Sequence, residues 1–369
     1  MASILKINNP TSKTYKILLA PLDWGLGHAT RCIPIIKELL INKYEVCIAA
    51  SGDQKMLLKE EFPFLTFVEL PGYRVKYDKN RAFTFLKLIT SIPKILIRVK
   101  EENRWLQRYR EKEGVDIVIS DNRYGLWHRD LYCILITHQL SIQSRMGGWV
   151  DRGIQRWLYR LINRFNACWV PDTPIETGLA GKLSHPAQMP DIPTHYIGLI
   201  SRMEPLQADE TIDLLILLSG PEPQRSILEK TLWEQLRAFK GSFVFVRGLP
   251  RGGSPLNGKN VYDHLPAREL NEYLSKARLV VARSGYSTVM DLVRLRKRSI
   301  LIPTPGQTEQ EYLGKYLTSE RIALCLAQKG FSLMDALLQA EQFQFIPVHE
   351  QKGLLQDAMT QSFSSARLG

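Results

Sequence analysis

The chemistry-bearing residues of this chain gather where short apolar runs give way to helix-like patterns. The first such place is ILLAPLDWGLGHATRCIPIIKEL, residues 17–39. Gly25 and Gly27 permit backbone conformations and close approaches that a side chain would block. His28 follows near a helix start, where the dipole favours anions and lowers an imidazole's pKa. A neutral histidine there can take a proton from a hydroxyl. Three readings stand side by side: a phosphate cradle, a catalytic histidine, or a tight strand-to-helix turn with an incidental histidine. The loop is not a GxGxxG fingerprint followed by an acid about 20 residues on, because Asp53 falls outside that pattern. No GKS or GKT follows either, so a P-loop is excluded.

Other strand ends carry further polar groups. Asp121 closes the run VISD. In a parallel sheet it can approach His28, orient the imidazole and stabilise its protonated form. The alternative is that it only caps the next helix. Thr137, His138 and Gln139 end another run and are acceptor-side candidates, with plain loop polarity as the alternative. In the second half, LLSGPEPQR (217–225) offers loop amides around Gly220 to a phosphate, although its two prolines supply no N–H. VVARSGYSTVMDLV (280–293) places Ser284, Gly285, Ser287 and Thr288 where a strand meets a helix. Small residues and hydroxyls there suit a pyrophosphate. Asp291, one turn further in, is placed to accept from a ribose hydroxyl. PTPGQTEQEY (303–312) offers Gln310 and Glu311 to sugar hydroxyls. A capping box of Thr308 with Glu311 is the alternative, and both roles can coexist.

Strands must carry these ends. KILLAPL (16–22), YEVCIAAS (44–51), FLTFVEL (64–70), DIVISD (116–121) and CILITH (133–138) are short apolar runs, with CWVPD and THYIGLI following. Helical patterns alternate with them, the first over Thr30–Asn42. A second alternating block holds TIDLLILLSG, GSFVFVRG, KNVYDHL (259–265), RLVVARSG and SILIPTP. Strand–helix alternation implies mainly parallel sheets covered on both faces. Ligands in such sheets sit at the carboxyl ends of the strands. The link between the two blocks lies near SRMEPLQADE, Ser201–Glu210.

The glycine loop ending in His28, together with ARSGYSTVMDLVRLRKRSILIPTPGQTEQEYLGKYL, resembles glycosyltransferase family 28. The resemblance spans roughly residues 16–320 and is tightest over 282–316. It implies an α/β protein of GT-B fold, two Rossmann-like domains with parallel sheets facing an interdomain cleft. Residues 1–200 would bind the acceptor and 201–369 the nucleotide sugar, the tail packing back on the first domain. It further implies an inverting transfer from a UDP-linked donor such as UDP-N-acetylglucosamine to a hydroxyl acceptor, lipid or lipid-linked in this family. By position, Asp291 falls at the ribose-binding acid and Gln310 with Glu311 at a glutamine pair on the donor sugar. His264 and Leu265 fall at the loop that touches uracil by main chain, and Arg202 at an arginine near the nucleotide. His28 ends the loop facing the acceptor, as base, with Asp121 orienting it. SGPEPQ departs from the family's phosphate loop, Glu311 replaces a glutamine and Gly314 an asparagine. No diaspartate motif lies near the donor site, so a metal is not expected. A sugar-nucleotide 2-epimerase and a non-catalytic nucleotide-sugar-binding protein are the rival readings.

Lys and Arg number 49 against 37 Asp and Glu, a net charge of +12, which calls for an anionic partner. In WVDRGIQRWLYRLINRF (149–165), Val150, Ile154, Trp157, Leu158, Leu161, Ile162 and Phe165 follow helical spacing. Arg152, Arg156, Arg160 and Arg164 form a basic stripe beside them, suited to an anionic membrane surface. Residues 82–110 repeat the theme with Phe83, Phe85, Ile89, Ile92 and Trp105 among Lys87, Lys94, Arg98 and Arg104. Core-packed helices with solvated basic faces are the alternative. No nucleic-acid reading motif is present, so that partner class is not expected. No stretch approaches the roughly 18–20 apolar residues of a membrane span. The first residues lack the apolar run of a signal peptide. The five cysteines have no CxxC spacing. A cytoplasmic protein, peripheral on the inner face of the membrane, is the expectation.

Overall fold

The computed structural model describes residues 15–72, 81–142, 148–175, 178–256 and 258–366, with the side chains of 81–95 outside that description. The first sheet holds β1 (Lys16–Pro21), β2 (Glu45–Ala49), β3 (Thr66–Val68), β4 (Ile117–Asp121), β5 (Tyr132–Ile136), β6 (Ala167–Val170) and β7 (Thr194–Tyr196). Its helices are α1 (Leu26–Ile41), α2 (Gly52–Glu61), α3 (Arg81–Glu113) and α4 (Gly148–Ile162). The second sheet holds β8 (Ile212–Leu217), β9 (Phe243–Val246), β10 (Val261–Tyr262), β11 (Ala277–Ala282), β12 (Ser299–Leu301) and β13 (Leu324–Cys325). With it come α5 (Gln224–Leu236), α6 (Ala267–Lys276), α7 (Tyr286–Arg294), α8 (Thr308–Ser319) and α9 (Leu333–Gln342), while α10 (Leu354–Ala366) returns to the first sheet.

Every strand pairing among the described residues is parallel. The orders are β3-β2-β1-β4-β5-β6-β7 and β10-β9-β8-β11-β12-β13. Each order reverses once, between β1 and β4 and between β8 and β11, and those reversals open the crevices where α/β sheets take ligands. The strands read as unbroken apolar runs because both faces are covered. α1, α2 and α10 cover one face of the first sheet through residues such as Ile36, Leu58 and Met359. α3 and α4 cover the other through Leu106, Leu158 and Ile162. On the second sheet, α6, α7 and α8 pack Leu274, Met290 and Leu313 on one face. There α5 and α9 pack Leu228 and Leu333 on the other.

Three details differ from the sequence expectation. The first helix begins at Leu26, not Thr30, because Gly25 at φ 94° turns the chain straight out of the loop. Pro34 therefore falls inside α1 and removes one i→i−4 bond. The strand expected over 259–265 shrinks to β10, since Asp263 leaves the ladder to receive Arg247 Nη1 and the Gly253 N–H. The capping box of Thr308 with Glu311 does not form: Gln307 occupies the N-cap position, and Glu311 Oε1 instead accepts from the Gly306 N–H at 3.1 Å.

The two basic helices are partly core. In α4 and the turn after it, Leu158, Leu161, Ile162 and Phe165 are buried, while Val150, Ile154 and Trp157 are half-buried. Arg152, Arg156, Arg160 and Arg164 all face out, and Trp149 is 75% exposed. In α3, Val99 and Leu106 are buried and Trp105 stacks on Tyr109 with ring centroids 5.1 Å apart, so Trp105 is a packing residue and not a surface anchor. Arg98 pairs with Glu101 and Arg104 is exposed. Phe83, Phe85, Lys87, Ile89, Ile92 and Lys94 lie outside the described side chains. No helix among the described residues is long and apolar enough to cross a membrane.

Candidate active site

Pro21 and Asp121 are register partners, so the ends of β1 and β4 lie side by side at the first reversal. The loop from β1 delivers His28 into the first turn of α1, directly above Asp121. His28 Nδ1 lies 3.0 Å from Asp121 Oδ2. Arg31 reaches the same carboxylate with both arms: Nε donates to Oδ2 at 3.0 Å and Nη2 to Oδ1. Arg31 Nη2 also stands 2.9 Å from His28 Nδ1, and Nη1 stands 3.4 Å from His138 Nδ1. His28 Nε2 has no hydrogen-bond partner among the described residues.

The charges decide which forms these groups take. Burial of Asp121 works against its ionisation, but Arg31 and His28 outweigh it and hold the pKa down to about 2. Burial lowers the pKa of His28, Asp121 pulls it back up, and Arg31 pushes it down again, leaving it below the usual 6.5. The imidazole is therefore neutral near pH 7, with a carboxylate beside it ready to stabilise the protonated form. That is the arrangement a general base needs.

At the second reversal, Leu217 and Ala282 are register partners. Gly220, at φ 100°, turns the loop after β8, and an added Cβ would lie 3.6 Å from Thr304 Oγ1. That hydroxyl is buried and has no partner among the described residues. Ser284 is buried and its Oγ donates to the Gln310 carbonyl at 3.1 Å. Gly285 is the N-cap of α7, and Ser287 and Thr288 are half-buried in its first turn. Gln310 Oε1 accepts from the Thr304 N–H at 2.9 Å, which ties the loop before α8 to the end of β12.

The two halves meet at these helix starts. Ser287 Oγ donates to the Gly27 carbonyl at 2.9 Å. Tyr286 stacks on His138 at 4.2 Å and its hydroxyl donates to the Pro171 carbonyl at 2.8 Å. Glu309, beside Gln310, accepts from His138 Nε2 at 2.9 Å and from Gln139 Nε2. Burial pushes the Glu309 pKa up, and the His138 contact with the nearby charges of His28 and Arg31 brings it below the usual value. Thr137 is buried and serves the loop itself, its Oγ1 accepting from the Gln139 N–H at 3.1 Å.

Deeper on the second side, Ser201 Oγ donates to Asp291 Oδ1 at 2.5 Å. Burial still raises the Asp291 pKa to about 6, despite Ser201 and the charge of Arg202. Arg202 Nε is buried with no partner among the described residues. The same arginine, after burial, keeps the His264 pKa low. His264 lines a cavity of about 490 Å³ with Tyr262, Asp263, Leu249 and Leu256, while Leu265 beside it is buried in the core. Among the described residues no group of three or more His, Cys, Asp or Glu side chains is arranged to hold a metal.

Residues 256–352 match the glycosyltransferase family 28 C-terminal domain. Over 328 residues the chain is 22% identical to the UDP-N-acetylglucosamine--N-acetylmuramyl-(pentapeptide) pyrophosphoryl-undecaprenol N-acetylglucosamine transferase of Haemophilus ducreyi, covering 84% of this chain and 85% of that one. MurG of Acinetobacter baumannii superposes with a TM-score of 0.54 at 14% identity, covering 95% of this chain and all of MurG (100%). The spinosyn rhamnosyltransferase SpnG complexed with thymidine diphosphate superposes at 0.57 with 16% identity, covering 96% and 94%. The chain is a GT-B glycosyltransferase resembling family 28. Its donor is a nucleotide sugar.

For such a glycosyltransferase, the structure brings His28, Asp121 and His138 into one cluster and places Gln139 at its edge. Arg202, Asp291 and His264 form a second group and Gly220, Ser284 and Gln310 a third. Sequence reasoning missed Arg31, Glu309, Tyr286 and Arg283. Arg31 sits three residues after His28, the spacing that puts both on one helix face, and that signal was legible. Arg283 is 1% exposed, donates to the Gln224 and Ile302 carbonyls, and has no carboxylate partner among the described residues. Burial lowers its pKa to about 10, which still leaves a cation behind the Gly220 and Ser284 loops.

Proposed function

We propose that this glycosyltransferase inverts the anomeric centre, moving a sugar from a UDP-linked donor to a lipid-linked hydroxyl acceptor. The observation that carries the reading is the His28–Asp121 pair at 3.0 Å, one residue from the Gly27–Ser287 bond that joins both halves. The acceptor hydroxyl attacks from the His28 side. Its proton passes to His28 Nε2 as the new bond to the anomeric carbon forms. Asp121 stabilises the imidazolium, and the bond to the nucleoside diphosphate breaks on the opposite face.

The departing diphosphate gains charge as it leaves. Gly220 and the first turn of α7, with Ser284, Gly285, Ser287 and Thr288, offer main-chain amides to it, and Thr288 a hydroxyl, the Ser284 and Ser287 hydroxyl protons being given to the Gln310 and Gly27 carbonyls. The buried Arg283 adds positive potential behind them, and Arg202 approaches from the nucleotide side. With these donors in place, the reaction runs without a metal, and a chelator leaves the rate unchanged. Asp291 takes the ribose, His264 and Leu265 the uracil through main chain, and Gln310 with Glu311 the donor sugar. The H. ducreyi relative's name carries UDP-N-acetylglucosamine and an undecaprenol pyrophosphate acceptor, which supports N-acetylglucosamine as the first donor sugar to try. The exposed arginine stripe of α4 and Trp149 support work at an anionic membrane surface, on its cytoplasmic face.

The test is a panel of nucleotide sugars read first by thermal shift, since a ligand that binds the native state raises its melting point. The best donor then goes into a hydrolysis and transfer assay with His28→Ala and Asp291→Ala. Loss of about 100-fold or more in kcat for His28→Ala is expected for a missing general base. Folded variants with full activity would show the assignment to be wrong.

A further inference from the structure

A continuous chain of contacts runs from α8 on the donor side to His28. Glu309 accepts from both His138 Nε2 and Gln139 Nε2. A carboxylate only accepts, so the His138 proton sits on Nε2 and the Nδ1 lone pair faces Arg31 Nη1 at 3.4 Å. Arg31 grips Asp121 with Nε and Nη2, while Nη2 also stands 2.9 Å from His28 Nδ1. The same Nδ1 stands 3.0 Å from Asp121 Oδ2. His28 Nδ1 thus has two competing partners of opposite kind. If it donates to Asp121, the Nε2 lone pair is free to take a proton. If it accepts from Arg31, Nε2 carries the hydrogen and cannot act as a base.

We propose that Glu309 is a positioning residue that couples the tautomer of His28 to closure of the two halves. By fixing the His138 proton on Nε2, Glu309 gives Arg31 Nη1 an acceptor at His138 Nδ1. The guanidinium is then held between His138 and Asp121, and His28 Nδ1 is left to donate to Asp121. When the halves separate, Glu309 leaves, and His138 is free to place its proton on Nδ1. That proton denies Arg31 Nη1 its acceptor, and Nη2, already 2.9 Å from His28 Nδ1, then donates there. The base is armed only when donor and acceptor sides are together, which protects the donor from loss to water in the open form. Glu309 need touch no substrate for this. The inference rests on His28 being the base.

The experiment labels histidine rings with 15N and compares wild type, Glu309→Gln, Glu309→Ala and Glu309→Asp, with His28→Ala assigning the His28 signals. The expected result is a His28 ring protonated at Nδ1 in wild type and shifted toward the Nε2–H form in Glu309→Ala, with a smaller shift in Glu309→Gln, whose amide oxygen still accepts from His138 Nε2. A fall in kcat of about ten-fold or more accompanies it, with donor KM little changed and partial recovery in Glu309→Asp. An unchanged His28 tautomer overturns the proposal, as does a raised donor KM at unchanged kcat, which would make Glu309 a sugar contact. If Glu309→Ala fails to fold, Glu309→Met, which fills the space without a strong acceptor, gives the same reading. Full activity in His28→Ala sinks the base assignment alone, because the ring spectra still report whether Glu309 sets the tautomer.

Discussion

Ser287 Oγ donates to the main-chain oxygen of Gly27 at 2.9 Å, joining the first turns of α7 and α1 across the two halves. The contact depends on a missing side chain. A Cβ added at Gly27 would stand 2.9 Å from Ser287 Oγ and 3.4 Å from Ser287 Cβ. Both helix starts can approach because position 27 has nothing to put between them.

Gly27→Ala is therefore expected to push Ser287 aside and lower transfer activity without unfolding the protein. Ser287→Ala alone loses one hydrogen bond, about 0.5–1.5 kcal/mol. In the double variant the short contact to Oγ is gone and only the ordinary contact to Cβ remains. The pair should be less impaired than the sum of its singles, and a double-mutant cycle on kcat/KM measures that coupling. Strict additivity would mean that the two helix starts do not bear on one another in the reacting complex.

Asp121 pairs with Arg31 in the core, and removing one partner of a buried pair leaves a charge uncompensated. Asp121→Asn is expected to cost about 3–5 kcal/mol of stability, together with a large loss of kcat. The pH signature follows from the sign of the shift. The folded pKa of about 2 lies below the ordinary carboxylate value of 3.8. The contribution of Asp121 to stability is thus complete above roughly pH 4 and is lost as pH falls toward 2. Urea unfolding of wild type and Asp121→Asn across that range should show the gap between them closing as the solution becomes more acid.

Arg31 lowers the His28 pKa while also holding Asp121 ionised. Arg31→Lys keeps one positive charge but loses the fork that grips both oxygens. With the cation less firmly placed, the His28 pKa rises, and the acid limb of the kcat/KM profile should move to higher pH. The check is a pH–rate profile of the two proteins at low donor concentration. An unmoved limb would separate Arg31 from the base.

The strand ends were legible because parallel strands covered on both faces must be apolar throughout, so the first polar residue after each run marks the crevice. That rule found His28, Asp121, His138, Gly220 and Ser284. It cannot find residues whose importance comes from what folds against them. Arg31 shares the His28 face of α1 by its spacing, but that its charge is buried and paired shows only once Asp121 is known to sit beneath it. Glu309 lies next to Gln310, and only the approach of the two halves gives its carboxylate a partner. Only the family resemblance leads one to expect the tail on the first domain, because Leu355, Met359 and Phe363 of α10 make an ordinary amphipathic pattern. Their packing on the first sheet, with Trp169 Nε1 donating to Ser362 Oγ at 3.0 Å, is a tertiary fact. The basic helices stayed open between core and membrane, since helical spacing does not say which face packs inward; in α4 the structure buries Leu158, Leu161 and Ile162 and leaves the arginines outside.

Asp291 is held at a pKa of about 6, mainly by burial, so its ionised form is a burden on the folded state. A folded pKa raised above the unfolded value gives stability that is full below about pH 4 and lost as pH rises through 6. Asp291→Asn removes that loss, and Ser201 Oγ can still donate to the amide oxygen. The variant should be more stable than wild type at pH 7.5 by about 1–3 kcal/mol, at 1.36 kcal/mol per pKa unit, while binding the nucleotide more weakly. Thermal unfolding with and without UDP measures both effects. A variant less stable at pH 7.5 would mean that the carboxylate is not strained by burial.

Arg152, Arg156 and Arg160 of α4 and Arg164 in the turn after it recur every four residues and all face solvent, with Trp149 75% exposed at the start of the helix. The inward face of α4 is already committed to Leu158, Leu161 and Ile162. Replacing the four arginines by glutamine should therefore leave folding intact. Each arginine near an anionic leaflet is worth about 1 kcal/mol. Four together predict a loss of up to about a thousand-fold in binding to phosphatidylserine-containing vesicles. Wild-type binding should weaken as salt shortens the reach of the charges, and Trp149→Ala should weaken a component that salt does not remove. Co-sedimentation with anionic and neutral vesicles reads all three effects. Equal binding of wild type to both vesicle types would place the stripe away from the membrane.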